Sequence, residues 1–183
     1  MVVITIPNNK PPNEEVGAVE FAKIFQQASF SEMPETSVIY DFHYNDNHTE
    51  IINVETFAGK NTRYVKEFYQ KLKQQYDSLH INLRSFDEED SLLKPFDVAV
   101  GYFEGLTDMS MIDSLVNTLS NVCKVDKVPV EYSTHRLSLV SETLFDTPSV
   151  IIYLNEGVID LYYAVAEELV NFLLERPVVQ KIG

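Results

Sequence analysis

Residues 96–123, FDVAVGYFEGLTDMSMIDSLVNTLSNVC, contain the clearest change of periodicity in the chain. The first part, residues 96–103, is a short apolar run bounded by Pro95 and Gly105, which predicts a strand. The second part predicts an amphipathic helix capped by Thr107 or Ser110, because apolar side chains recur on one side of it. These side chains are Ile112, Leu115, Val116, Leu119, Val122 and Cys123.

The same two patterns recur on both sides of this stretch. Apolar residues at helical spacing predict further helices over residues 14–28, 62–76 and 156–175. Apolar or alternating runs predict strands over residues 2–6, 37–44, 50–58, 79–86 and 149–154, and one or two strands over 128–144. Asn45, Asp46, Asn47 and His48 separate two of these runs, which indicates a hairpin.

The order of elements is therefore β-α-β-β-α-β followed by β-α-β-β-β-α. This order predicts an α+β (mixed α/β) fold, with helices layered on a mixed, largely antiparallel sheet. The first half matches the order of a split βαβ, ferredoxin-like unit, and the second is close to it with one extra strand. Two ferredoxin-like halves are therefore an alternative arrangement.

A length of 183 residues fits one compact domain spanning 1–183. Only residues 87–95, with the acidic run DEED and Pro95, could join two subdomains, which would be 1–86 and 96–183. The single cysteine, Cys123, excludes an internal disulfide framework. Because the N-terminal apolar run is short and lacks basic residues, we expect a cytoplasmic protein.

The net charge of −14 limits the partners of the chain. Binding to nucleic acid or to an anionic membrane depends on lysine and arginine neutralising phosphates. We therefore expect neither nucleic acid nor a membrane as a partner. Only six glycines occur, and no glycine-rich phosphate loop is present. A nucleotide-binding function is therefore not expected.

The segment DFHYNDNH, residues 41–48, is the strongest candidate for chemistry. Asp41, His43, Asp46 and His48 are carboxylates and imidazoles, which are ligands for zinc, manganese or iron. A strand that ends in Asp41-Phe42-His43 resembles the start of the metal site of metallophosphoesterases. The Gly-Asp and Gly-Asn-His segments of that family are absent from this sequence. A polar hairpin tip without a metal is the alternative.

Residues 60–76 form the one locally basic element of the acidic chain. Arg63, Lys66 and Lys73 fall on one stripe of its predicted helix. This stripe is a candidate binding site for a phosphate or an acidic surface, and a solvated helix face is the alternative.

Three functions remain open. The absence of a catalytic signature and the many aromatic residues favour a non-catalytic subunit or assembly factor of a cellular or viral complex, without a cofactor. Such a protein would bind a protein partner or self-associate. The first alternative is a metal-dependent hydrolase that uses Asp41, His43, Asp46 and His48 with a divalent metal. The second is an acidic inhibitor that mimics nucleic acid.

Overall fold

The computed structural model describes residues 2–6, 16–29, 39–41, 44–46, 50–53, 79–87, 89, 92–131, 135–144 and 146–175. In chain order the elements are β1 (Val2–Ile6), α1 (Val16–Ser29), β2 (Ile39–Asp41), β3 (Tyr44–Asp46), β4 (Glu50–Asn53), β5 (Leu79–Phe86), β6 (Val98–Tyr102), α2 (Met109–Leu119), β7 (Val125–Pro129), α3 (Arg136–Leu144), β8 (Ser149–Asn155), a 3-10 helix (Glu156–Leu161) and α4 (Tyr162–Glu175).

Six strands form one mixed sheet in the order β4-β1-β5-β8-β6-β7. β1 pairs in parallel with β4 and β5, β5 with β8, and β6 with β7. Only the β6–β8 pair is antiparallel. The predicted mixed α/β fold is confirmed, but the prediction of a largely antiparallel sheet is wrong. The physical reason is the long connections: α1 lies between β1 and β4, and α2 between β6 and β7, and such crossovers join parallel strands.

The predicted alternative of two ferredoxin-like halves, each with its own sheet order, does not match the observed strand pairing. β5, the last strand of residues 1–86, pairs in parallel with β8 from His80 opposite Ser149 to Phe86 opposite Asn155. The two proposed halves therefore share a continuous sheet. The number of domains stays a prediction.

The hairpin lies elsewhere than predicted. β2 and β3 pair antiparallel to each other within residues 39–46, with Asp41 opposite Tyr44 and Ile39 opposite Asp46. β4 does not pair with them in this ladder but joins the main sheet in parallel with β1. The described pairing is therefore between β2 and β3, and not between the two predicted runs 37–44 and 50–58.

The predicted strand structure over 128–144 is only partly present. β7 ends at Pro129, and residues 136–144 form the helix α3. The sequence RLSLVSETL alternates apolar and polar residues at its start, which is typical of a strand. As a helix, the segment has Ser138, Ser141 and Glu142 on one side. Because this side is polar, the sequence lacks the apolar residues at a spacing of 3.6 that usually indicate a helix.

One face of the sheet carries the main hydrophobic core. Side chains of β1, β5, β6 and β8 pack there against α1, α2 and α4, and they include Ile4, Leu83, Val100, Ile152, Phe21, Leu115 and Leu169. Phe21 and Leu83 are fully buried. Burying a side chain of this kind stabilises the fold by about 1.5–3 kcal/mol, so this three-helix layer holds the sheet together.

The predicted helix 14–28 corresponds to α1, and the helix predicted after residue 107 corresponds to α2. The N-cap of α2 is Asp108, whose carboxylate accepts the Ser110 N–H at 3.0 Å, in place of the predicted Thr107 or Ser110. Thr107 instead accepts the Phe103 N–H at 2.8 Å. None of the helices in the described ranges has the length and apolar character needed to cross a membrane. The cytoplasmic location stays a prediction.

Candidate functional site

The predicted metal ligands lie partly outside the described residues. His43 and His48 are among those outside, whereas the backbones of Asp41 and Asp46 belong to β2 and β3. These two residues are two pairing positions apart in the hairpin, which corresponds to about 7 Å along a strand. β2 lies next to β4 at the edge of the main sheet. Whether the four side chains converge on an ion stays a prediction.

The predicted basic stripe, Arg63, Lys66 and Lys73, lies outside the described residues as well. Its role stays a prediction. Within the ranges that the structure describes, no group of three or more histidine, cysteine, aspartate and glutamate side chains is placed to hold a metal ion.

The second face of the sheet carries several polar side chains beside a small apolar cluster of Phe86, Leu93 and Ala99. Residues of β5 and β8 alternate between the two faces, so the face opposite the core carries His80, Asn82, Arg84, Ser149 and Tyr153. α3 packs over β5 and β8. Cross-strand pairing places His80 opposite Ser149 and Arg84 opposite Tyr153. These pairs create two distinct polar clusters.

The first polar cluster centres on His80, which is fully buried. One ring nitrogen, Nε2, lies 2.7 Å from the Thr5 hydroxyl, and the other, Nδ1, lies 3.1 Å from the Ser149 hydroxyl. Burial lowers the pKa of His80 to about 3. A neutral, enclosed imidazole that links β1, β5 and β8 is a structural group. Serine and histidine are also the residue types of a nucleophile and its base. Ser149 is buried too, so its hydroxyl is not accessible to a substrate.

The Ser149 end of this cluster also holds Glu142 of α3. Its Oε1 accepts the Ser149 N–H at 3.0 Å. Burial raises the pKa of Glu142, the hydrogen bonds from Ser149 and Thr107 oppose that effect, and the negative charge of Asp108 adds to it. Glu142 is therefore a partly buried carboxyl group, and its proton affinity is higher than usual.

The second polar cluster joins His135, Tyr153 and Arg84. His135 directly precedes α3, and its Nε2 lies 2.5 Å from the Tyr153 hydroxyl. The two rings meet edge to face, with centroids 5.8 Å apart. Burial lowers the pKa of His135 to about 4, and the positive charge of Arg84 contributes. Asn82 Oδ1 accepts a hydrogen bond from Arg84 Nε at 3.3 Å. Sequence reasoning did not identify Tyr153 as a site residue.

The carboxyl edge of the parallel strands is where α/β sheets commonly bind ligands. Glu156 follows β8 at this edge, but its Oε1 accepts hydrogen bonds from Ser85 Oγ at 3.0 Å and from the Gly17 N–H at 3.4 Å. A Cβ at Gly17 would stand 2.7 Å from the Tyr162 hydroxyl, so glycine permits this close approach. Glu156 thereby attaches the start of α1 to the sheet, which is a structural role.

The environment of Cys123 disfavours a role as a nucleophile. Its thiol donates a hydrogen bond to the Leu119 carbonyl at 3.3 Å. Burial, followed by the charge of Asp97, raises the pKa of the Cys123 thiol to about 12, whereas reactive thiols have lowered pKa values.

No protein-family model matches this chain, and no curated protein matches it. Solved structures do resemble it. The gene product Atu2144 from Agrobacterium tumefaciens is similar with a TM-score of 0.62 and 11% identity, over 95% of this chain and 88% of that chain. The catalytic domain of the CD27L endolysin targeting Clostridia difficile is similar with a TM-score of 0.51 and 12% identity, over 96% and 98%.

A metallo-carboxypeptidase from Burkholderia cenocepacia is similar with a TM-score of 0.54 and 8% identity. The match covers 94% of this chain but 57% of the carboxypeptidase, so this chain spans little more than half of that protein. At these identities the likeness is one of fold.

These likenesses correct the functional prediction. The non-catalytic subunit or assembly factor is wrong, because the structures that share the fold include the catalytic domain of an endolysin and a metallo-carboxypeptidase. The prediction of no cofactor is wrong for the same reason, since one of these relatives is a metalloenzyme. The mimic of nucleic acid stays a prediction. The metal-dependent hydrolase fits better. The predictions about partners stay predictions.

Proposed function

We propose that this protein is a metal-dependent hydrolase that cleaves an amide bond, with Asp41, His43, Asp46 and His48 as the metal ligands. The observation that carries the proposal is the architecture. A single mixed sheet covered by helices resembles a metallo-carboxypeptidase and an endolysin catalytic domain over at least 94% of this chain.

The chemistry of the ligand segment supports the same function. Catalytic zinc sites use three histidine or carboxylate ligands and leave one position open for water. When bound, such an ion supplies a Lewis acid and lowers the pKa of its water to about 7. Asp41, His43, Asp46 and His48 provide the required ligand types within eight residues.

The histidines of the described polar face do not offer an alternative set of ligands. Both ring nitrogens of His80 lie within hydrogen-bonding distance of hydroxyl groups in a fully buried site. His135 shares its Nε2 with Tyr153. Within the described ranges, neither belongs to a group of three potential ligands. This distribution favours residues 41–48 as the source of the ligands.

The test is metal stoichiometry combined with hydrolysis. The purified chain is stripped with EDTA, loaded with Zn²⁺ or Mn²⁺, freed of unbound ion and analysed by mass spectrometry of the elements. We expect about one ion per chain and metal-dependent release of amines from N-acylated amino acids or from peptides with a free C-terminus. The Asp41→Ala/His43→Ala double variant should lose both the ion and the hydrolysis.

Asp160→Ala is the matched control, since Asp160 is exposed on the 3-10 helix. It should keep both properties. A wild-type chain that retains no ion after loading, or a double variant that binds and cleaves as the wild type does, would show that the proposal is wrong.

A further inference from the structure

β7 forms one edge of the main sheet. It is the last strand in the order β4-β1-β5-β8-β6-β7, and among the described strands it pairs with β6 alone, in parallel. At the opposite edge of the sheet, β2 lies next to β4. An edge strand presents N–H and C=O groups that can pair with another chain. The backbone groups that β7 directs outward therefore determine whether a further strand can join the sheet.

The hydrogen bonds between β6 and β7 show which residues of β7 point outward. The Lys124 carbonyl accepts the Val98 N–H at 3.2 Å. At the other end of the strand, the Val130 N–H donates to the Tyr102 carbonyl at 2.9 Å. Because the backbone groups of successive strand residues point to alternate sides, the even-numbered positions face β6. Residues 125, 127 and 129 therefore direct their backbone groups toward the open edge.

Two of these three outward positions lack an available donor. Pro129 has no N–H. The Lys127 N–H already donates to Oδ1 of the neighbouring Asp126 at 2.8 Å. Asp126, Lys127 and Pro129 are all exposed, and Lys127 Nζ donates to Asp113 Oδ1 of α2 at 2.5 Å, which holds this charged side chain beside the edge. The open edge of β7 therefore presents mainly carbonyl groups and charged side chains.

We propose that Asp126 and Pro129 prevent the β7 edge from pairing with the β7 edge of a second copy of this chain. A second copy always carries the same edge, so it is the partner that this arrangement must exclude. In a two-fold antiparallel pair centred on Lys127, Val125 would lie opposite Pro129, which has no N–H to donate. The Asp126 carboxylate competes for the Lys127 N–H, and the two lysines would lie opposite each other, which is unfavourable. Such charges and prolines are known to protect sheet edges. Pairing at this edge is independent of the proposed hydrolysis.

The test compares two double variants that have identical composition and net charge. The edge variant, Asp126→Val/Pro129→Val, removes the competing carboxylate and restores an outward N–H. The control variant is Asp160→Val/Pro95→Val, since Asp160 and Pro95 are exposed and lie outside β7. Sedimentation equilibrium and light scattering give the mass of the full chain over a range of concentrations. Far-UV circular dichroism shows whether each variant is folded.

We expect the edge variant to form dimers at least about tenfold more strongly than the wild type, because the restored backbone hydrogen bonds stabilise the pair. The control variant should have the mass of the wild type at every concentration. Adding Lys127→Pro to the edge variant should abolish the gain. Proline at this position removes the outward N–H at the centre of the pair, and it removes no hydrogen bond to β6.

Two results would overturn the proposal. One is an edge variant that associates no more strongly than the control variant. The other is association that persists after Lys127→Pro, because it would not depend on strand pairing. If the edge variant does not fold, Pro129→Val alone decides, since it changes a single exposed residue. We expect this variant to associate about threefold more strongly than the wild type, and no gain would contradict the proposal.

Discussion

The two faces of the sheet differ in chemistry although the same strands form both. One face is covered by α1, α2 and α4 and is apolar throughout the core that includes Leu83, Val100 and Ile152. The other is covered by α3 over β5 and β8, and there it presents His80, Asn82, Arg84, Ser149 and Tyr153 beside buried apolar residues such as Ile151 and Phe86. The first face buries apolar surface, which is the main source of stability. The second buries polar groups, each of which needs a partner to offset its lost hydration.

This difference indicates that one face mainly stabilises the fold and that the other is the better candidate for a functional site. A protein selected only for stability would cover both faces with apolar side chains, whereas violations of that rule tend to concentrate at functional sites. Such violations are the Tyr153–His135 contact and three buried atoms without a hydrogen-bond partner among the described residues, His135 Nδ1, Ser138 Oγ and Glu142 Oε2. We therefore expect substitutions on the two faces to have different sizes and different dependence on pH.

The largest effect is expected on the apolar face. Leu83→Ala removes a fully buried side chain and should destabilise the protein by about 2–5 kcal/mol, since it leaves a cavity in the core. The matched control is Leu92→Ala, because Leu92 is 83% exposed, and it should change the free energy of unfolding by less than about 0.5 kcal/mol. Urea titration measures both. Equal effects at the two leucines would contradict the assignment of this face as the core.

A smaller, pH-dependent effect is expected at His80. The pKa of His80 in the folded protein, about 3, lies below the ordinary histidine value of 6.5, so the unfolded chain binds more protons between these two values. The stability contributed by this group is therefore complete above pH 6.5 and is lost as the pH falls toward 3, by up to about 1.4 kcal/mol per pH unit. His80→Gln can keep hydrogen bonds to Thr5 and Ser149 but does not titrate.

The measurement is the free energy of unfolding from pH 7.5 to pH 4.5 for the wild type and for His80→Gln. We expect the wild type to lose stability more steeply across this window. If the two proteins lose stability equally as the pH falls, burial does not lower the pKa of His80 in the folded protein.

The smallest effect is expected at Tyr153. Tyr153→Phe removes the hydroxyl that lies 2.5 Å from His135 Nε2 and should cost about 1 kcal/mol, which corresponds to a fall of roughly 2–4 °C in melting temperature. Tyr163→Phe is the matched control, since Tyr163 is 56% exposed. A melting temperature that does not respond to Tyr153→Phe would indicate that this hydrogen bond adds no stability to the polar face.

Much of the local structure could be predicted from the sequence. The apolar positions of α1, α2 and α4 follow the helical period. The strand runs at β1, β6 and β8 are short and apolar, and the run at β5 alternates apolar and polar residues. α3 was missed because its inner side is polar: Ser138, Ser141 and Glu142 face a polar sheet, so no apolar stripe marks the helix. The Asp108 cap was missed because Thr107 and Ser110 are equally good capping residues by type.

The functional candidates divide in the same way. Residues 41–48 could be found because metal-binding side chains are crowded within a short segment. His135, Tyr153 and Arg84 are far apart in sequence, and no spacing rule joins them. They meet because Arg84 and Tyr153 are opposite each other in the β5–β8 pairing. The non-catalytic prediction failed because it relied on the absence of sequence motifs, whereas the fold is shared with hydrolases at identities of 8–12%.

By itself the sequence determined the acidic charge, the mixed α/β class and the position of most helices and strands, because these depend on composition and on periods of 3.6 and 2 residues along the chain. The tertiary structure alone decided the parallel pairing, the packing of α3 on the sheet and the contacts of His80 and His135. These features depend on which distant segments become neighbours. That choice is made by the burial of the whole sheet and is not encoded in any local pattern.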